Sequence, residues 1–292
     1  MAYYVTWPAD TNRGAKIDFG TGTSALVAGG QTIGSGSYAS ITVASGQTLY
    51  INSMSTIYCA GIMTVEGTVV INAGGNTSGY GIGEPGYYSY NTANSPPEWY
   101  TNGAGGGYAV AGGEGFMANY SGTSTQVHRY GGVAYDSLTY AAGVSVTSAL
   151  ALPMCGSRGG TANNGGGGGA GGGGVKIWAG SLVVSGTIRS DGGDGNTVAY
   201  VSGYYGNSRD GPGSGGGIWL VAGRISGSGT LRCMGGAGSN NGPAGTGGGS
   251  GRVRIDYAMG DTSGLSMSTY GTVASVNRSI VAPPPGGVLW FT

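Results

Sequence analysis

The sequence predicts an all-β or irregular fold: β-solenoid-like rungs combined with packed polyglycine-II helices, and almost no α-helix. Three observations predict it. Glycine supplies 68 of 292 residues, roughly three times its ordinary usage of about 7%. The stretches VKIWAGSLVVSGTIRSDGGDG (175–195) and IWLVAGRISGSGTLRCMGGAG (218–238) align without a gap at an offset of 43. Apolar residues alternate between glycine-centred turns, and no stretch keeps a useful helical period.

Composition bounds the class. Lys plus Arg and Asp plus Glu are 12 each, 39% of residues are apolar, and there are 20 Tyr and five Trp. Disordered chains combine low hydrophobicity, high net charge and few aromatics, so an ordered, weakly charged, loop-rich protein is expected. A neutral balance leaves no electrostatic footprint for nucleic acid or an anionic membrane. No run reaches the ~18 apolar residues of a membrane span, so no membrane insertion is expected. The start MAYYVTWPADTNRG has no basic region followed by an apolar one, so synthesis in a cytoplasm without a signal peptide is expected. Cys59, Cys155 and Cys233 are far apart and show no metal or disulfide spacing. Buried free thiols are the expectation.

Four regions emerge from the pattern. Residues 1–75 read as an N-terminal β region for attachment, with strands in ALVAG, SITVASGQTLYINSM and TIYCAGIMTVEGTVVINA. Ile41, Val43, Leu49, Ile51, Ile57, Ile62, Val65, Val69 and Ile71 recur there at solenoid-like intervals; a β-sandwich is the alternative. Residues 76–160 are richest in Tyr, Pro and Asn and read as a loop region. Residues 161–260 are the glycine-rich repeat region containing the rungs 175–195 and 218–238. In these rungs Ala179/Ala222, Gly180/Gly223, Ser185/Ser228, Gly186/Gly229, Thr187/Thr230 and Arg189/Arg232 coincide. Fainter copies lie at 64–75 and 247–257. Ile218, Leu220 and Ala222 fall on one face, and Ile225 and Leu231 supply inward contacts for the next strand. Such repeats bury each other's faces by stacking. Residues 261–292, with a triple proline and an apolar end, read as a docking segment.

Positions 165–174 hold nine glycines and one alanine. Glycine loses the most backbone freedom on folding, so this stretch is either a flexible linker or ordered for a purpose. An extended three-residue-per-turn helix rises about 3.1 Å per residue, so ten residues span roughly 31 Å. Helices without side chains can lie in contact, each N–H reaching a neighbour's C=O, with weak Cα–H···O contacts added. The structural glycine helix is expected at Gly165, Gly166, Gly167, Gly168, Gly169, Gly171, Gly172, Gly173 and Gly174. Similar stretches stand at 102–115, 211–217 and 242–251. None keeps a strict collagen period, and a linker seldom recurs at matched positions of a repeat.

Runs of near-pure glycine joined by Tyr/Asn-rich connections, over roughly residues 100–260, resemble the receptor-binding adhesins at the tips of tailed-phage fibres, whose glycine motifs form a polyglycine-II sandwich. The resemblance implies a bacteriophage virion protein whose loops between glycine helices meet the host surface. The matched rungs 175–195 and 218–238 are similar instead to β-solenoid phage or bacterial surface proteins.

Candidate receptor-binding residues are Tyr87, Tyr88, Tyr90, Trp99 and Tyr100 in one loop and Tyr200, Tyr204, Tyr205, Asn207 and Arg209 in another. Tyrosine offers a large contact area, few torsions to freeze and a hydroxyl. The bland reading packs these rings over the glycine layer as a substitute core. Catalytic signals are weak. His128 is the one histidine and has no nucleophile motif near it. Asp191 and Asp194 suggest a carboxylate pair, but their repeat partners are Met234 and Ala237, so turn-forming aspartates are expected. Lys176 lacks the Ser/Thr of a phosphate loop. Arg189 and Arg232 are expected to be structural. No catalytic residue, metal or cofactor is expected. The functional expectation is a non-enzymatic virion adhesin that binds a bacterial surface glycan or outer-membrane protein. It would assemble with other virion proteins, as a homotrimer by analogy with phage fibres. The alternatives are a purely structural virion component (capsid decoration or tail spacer) and a β-solenoid polysaccharide depolymerase.

Overall fold

A strand with apolar residues at every second position buries one row of side chains and turns the other outward. Here the next repeat continues each row. The computed structural model describes residues 22–74, 155–161, 167–195, 210–238 and 247–268, with Gly106, Gly112 and the backbone of six short flanking strands. The described chain is all-β and mostly parallel, without a helix.

Strand β1 (Tyr3–Val5) pairs antiparallel with β2 (Ala15–Ile17). Seven strands come next: β3 (Ala25–Val27), β4 (Thr32–Ile33), β5 (Gly36–Tyr38), β6 (Ser40–Val43), β7 (Thr48–Ile51), β8 (Ser55–Val65) and β9 (Thr68–Ile71). A small antiparallel sheet holds β10 (Tyr88–Tyr90), β11 (Glu98–Thr101) and β12 (Met117–Asn119). The set ends with β13 (Gly174–Val184), β14 (Thr187–Arg189), β15 (Gly217–Ser226), β16 (Thr230–Arg232), β17 (Arg252–Gly260), β18 (Ser266–Ser268) and β19 (Ser275–Ser279).

Two parallel sheets form the body. The larger has the order β19-β17-β15-β13-β8-β6-β3, with β5 also on β8; the smaller has the order β18-β16-β14-β9-β7-β4. From β6 to β9 and again from β13 to β19, successive strands alternate between them, so the chain advances one position in both sheets at each repeat. Equivalent residues therefore lie side by side. Leu49, Val69, Ile188, Leu231 and Met267 form one row across the smaller sheet. Ile57, Ile177, Leu220 and Ile255 form one across the larger. All except the partly buried Met267 are fully enclosed. Ile218, Ala222 and Ile225 join the same core.

The N-terminal apolar positions are also buried, with one exception: Ile62 is 54% exposed. Parity explains it. Ile57, Cys59 and Met63 occupy the inward positions of β8, so Ile62, one step from Met63, points outward. The long strands also change parity part-way. Inward Ala179 is followed by inward Leu182, and Ala222 by Ile225. The register against β8 slips at this point, and the matched Gly180 and Gly223 mark the bend.

The shared Gly-Thr step has a steric cause. Gly67, Gly186 and Gly229 stack in successive turns, and a Cβ on any of them would meet backbone atoms of the preceding turn closer than 3.0 Å. Thr187 N–H donates to the Gly67 carbonyl at 2.9 Å and Thr230 N–H to the Gly186 carbonyl at 2.8 Å. Outward from this turn runs the row Thr48, Thr68, Thr187, Thr230 and Ser266, residues whose short, mostly branched side chains suit a pleated surface.

Beside the sheets, the glycine-rich segments 156–160, 167–173, 190–195, 210–216, 233–238 and 247–251 bond to one another through their backbones. Segment 210–216 sits among the others. Gly211 and Ser214 donate to Gly160 and Ser157, Gly213 and Gly216 donate to Gly193 and Ser190, and Gly215 donates to Gly249, all at 2.7–2.9 Å. Its carbonyls accept in turn from Gly169, Gly172, Gly236 and Gly106. Donors to any one neighbour recur every third residue, so consecutive residues face three directions. A Cβ on Gly159, Gly213, Gly216, Gly236 or Gly248 would fall well inside contact distance of a neighbouring carbonyl oxygen. Each hydrogen bond contributes only about 0.5–1.5 kcal/mol net against about 1–2 kcal/mol to order each residue. The slab holds because nearly every segment has several bonded neighbours.

Two adjacent glycines separate steric from entropic effects. Gly248 would place a Cβ against the Gly213 carbonyl, whereas at Gly247 the nearest atom is 3.8 Å away. Gly248→Ala is expected to lower the unfolding free energy by about 3 kcal/mol or more, and Gly247→Ala to change it by less than about 0.5 kcal/mol. Equal losses in denaturant unfolding would show that backbones do not touch at 248. A second expectation concerns the thiols. Cys59 and Cys233 are buried free thiols, and burial pushes both pKa values up. Cys155 is only partly buried, with its sulfur 3.1 Å from the Ser53 hydroxyl. A thiol reagent should modify Cys155 alone in the native protein and all three cysteines after unfolding; rapid native labelling of Cys59 or Cys233 would contradict the stacked core.

Candidate binding site at the far end of the glycine slab

The direction of each glycine segment is set by the strand it joins. Segments 190–195 and 233–238 run outward from β14 and β16, while 167–173, 210–216 and 247–251 run back into β13, β15 and β17. Antiparallel bonds set their ends. Gly216 bonds Ser190 near the sheets, and Gly213 bonds Gly193 farther out. Gly251 with Cys233 and Gly248 with Gly236 repeat this arrangement, as do Gly156 with Gly172 and Gly159 with Gly169. The described residues that flank 162–166, 196–209 and 239–246 therefore all stand at one end of the slab, the end away from the sheets.

Side chains fasten the stems that carry these connections. Asp191 Oδ1 accepts the Met234 N–H at 3.0 Å, and Asp194 Oδ1 accepts the Ala237 N–H at 2.6 Å. Each donor stands one repeat, 43 residues, ahead of its acceptor. The two aspartates do not close local turns; they clamp neighbouring segments that run in the same direction, where a carboxylate takes the place of a backbone carbonyl. Asp191 also pairs with Arg232 Nε at 2.9 Å. On the other flank, Arg158 Nε donates to the Gly168 carbonyl at 3.1 Å. Charge is thus used inside the scaffold, at the stems.

Of the glycine helix expected from the sequence, Gly167–Gly169 and Gly171–Gly173 lie in the slab and Gly174 opens β13; Gly165 and Gly166 lie outside the described residues. Among the aromatic candidates, Tyr88 and Tyr90 are on β10, opposite Tyr100 and Glu98, and Trp99 of β11 faces Ser89 in register. Tyr87, Tyr200, Tyr204, Tyr205, Asn207 and Arg209 lie outside the described residues, as does His128.

A second constellation has no counterpart among the sequence-derived candidates. On the outward face of the larger sheet, the Tyr58 and Trp178 rings are 5.8 Å apart and the Trp178 and Trp219 rings 6.4 Å apart, both pairs tilted. Lys176, Trp219 and Arg254 are consecutive in register. The Lys176 ammonium lies 4.6 Å and the Arg254 guanidinium 4.5 Å from the Trp219 ring, contacts that contribute about 0.5–2 kcal/mol each. The Trp219 indole N–H donates to Asp256 at 2.7 Å, and Arg254 Nε pairs with the same carboxylate at 2.8 Å. Trp219, Arg254 and Asp256 are buried, whereas Tyr58, Trp178 and Lys176 are partly exposed. Burial, and then the Arg254 charge, hold the Lys176 pKa below its ordinary value. A signal for this cluster does exist in the sequence: the offset of 43 places Lys176 and Trp219 at the same repeat position.

Among the described residues no cluster of His, Cys, Asp and Glu could hold a metal ion, and no helix is long and apolar enough to cross a membrane. No protein family, no curated protein and no solved structure matches the chain.

The Asp191 clamp can be tested directly. Asp191→Ala removes an acceptor of the Met234 N–H together with the partner of Arg232, so stability should fall by about 1–3 kcal/mol. Asp194→Ala, at a more exposed site, should cost about 1 kcal/mol or less. Amide exchange at Met234 should quicken in Asp191→Ala; unchanged exchange and unchanged stability would exclude the clamp.

Proposed function

We propose that this chain is a non-enzymatic virion adhesin of the kind found at the tips of tailed-phage fibres. It binds a bacterial surface glycan or outer-membrane protein through Tyr-rich connections, on a scaffold that joins a β-solenoid to a polyglycine-II slab. The alternation of strands between two parallel sheets supports the solenoid part. The three-residue recurrence of backbone donors supports the polyglycine-II part.

The observation that carries the functional reading is that the residues flanking three connections stand together at the end of the slab away from the sheets. One of them, 196–209, contains Tyr200, Tyr204, Tyr205, Asn207 and Arg209. Stems bonded to several neighbours fix the points from which these connections start and to which they return, and a preorganised surface loses less entropy on docking. Tyrosines joined by Asn and Gly give broad contact at a small torsional cost. The carboxylates of Asp191 and Asp194, the pair a depolymerase would draw on, are engaged with backbone N–H groups.

Adsorption distinguishes an adhesin from a purely structural virion component. Labelled protein presented to a panel of bacterial strains should adsorb saturably to at least one and be displaced by excess unlabelled protein. The variant Tyr200→Ala, Tyr204→Ala, Tyr205→Ala should melt like the parent and adsorb at least about tenfold more weakly, as for central aromatic anchors of an interface. Full adsorption by this folded variant would remove these tyrosines from the site. Absence of saturable adsorption to every strain would favour the structural alternative.

A further inference from the structure

The partly exposed end of the aromatic row on the larger sheet serves neither the core nor the slab. We propose that Tyr58, Trp178 and Lys176 form a docking face for an acidic glycan, the rings receiving the C–H faces of sugar units and Lys176 pairing with a sugar carboxylate. This site is independent of the loop reading and lies on another part of the molecule.

Charge and access point to this ligand. Trp219 is unavailable for stacking, because it is buried with Lys176 and Arg254 against its ring. Tyr58 and Trp178 are partly open, on adjacent strands with ring centroids 5.8 Å apart, a spacing suited to neighbouring sugars of one chain. The cluster contains two cations, Lys176 and Arg254, and one carboxylate, Asp256. That carboxylate is committed to Arg254 and to the Trp219 indole. No carboxylate among the described residues pairs with Lys176, whose charged form is disfavoured by burial and by Arg254. An incoming anion would reverse that penalty. Thr56, beside Lys176 in register, adds a hydroxyl. A strand-like peptide would need an open sheet edge, but β8 and β13 are paired on both sides. A sugar needs only the face.

Calorimetric titration of the full chain with tetragalacturonate, and with maltotetraose as the neutral comparator, tests the proposal. Tetragalacturonate should bind at least tenfold more tightly, and the preference should shrink as salt rises. Lys176→Gln should abolish the preference, while Trp178→Leu should weaken both sugars. The variant Tyr200→Ala, Tyr204→Ala, Tyr205→Ala should titrate like the parent, so loss of cell adsorption and loss of this site are read separately. No binding of tetragalacturonate, equal affinity for the two sugars, or a preference intact in folded Lys176→Gln would overturn the proposal. If Lys176→Gln does not fold, the preference and salt dependence of the parent protein decide.

Discussion

The structure depends on main chains meeting at distances that leave no room for a Cβ. At Gly159, Gly213, Gly216, Gly236 and Gly248 the neighbour is a carbonyl oxygen, and at Gly67, Gly186 and Gly229 it is the backbone of the preceding turn. Hydrogen bonding in the slab results from that proximity. A segment with no side chains can be approached from several directions, and segment 210–216 exchanges bonds with five other glycine-rich segments and Gly106. Glycine's large ordering entropy would otherwise favour a loose chain.

The slab and the sheets solve different halves of one stability problem. Enclosed rows such as Ile57, Ile177, Leu220 and Ile255 supply apolar burial, the dominant favourable contribution to folding. The slab buries almost no apolar side chain, yet it is continuous with the strands that do. Gly217 both bonds Gly173 and begins β15, and Gly174 begins β13. Register set by the packed rows is thereby passed into the glycine segments, and the connections at the far end inherit a defined starting geometry. Asp191 and Asp194 reinforce this transfer by linking equivalent positions of successive repeats.

The outward face of the larger sheet shows how the same stacking organises polar chemistry. Register alone brings Lys176, Trp219 and Arg254 into one row, and the burial of Asp256 between a guanidinium and an indole is a consequence of its place on the neighbouring row. A buried carboxylate requires such partners. The resulting cluster has an enclosed side, stabilised internally, and a partly open side at Tyr58, Trp178 and Lys176. The open side is where chemistry beyond the fold can occur.

Much of the architecture was legible in the chain itself. The offset of 43 between 175–195 and 218–238 determined which residues would stack, because parallel strands in register place equivalents side by side. Alternation determined the inward positions Ile218, Leu220 and Ala222. Long-range pairing decided the rest. Ile62 is apolar but outward, because Met63 holds the inward parity of β8. Asp191 and Asp194 look like turn residues but bond a repeat ahead, because their donors come close only when segments 190–195 and 233–238 run together. Composition could mark the glycine runs as ordered; which of their ends carries the connections depends on the direction of the strands they join. Local sequence determines what each repeat can bury, and only the stacked structure decides what its outward groups meet.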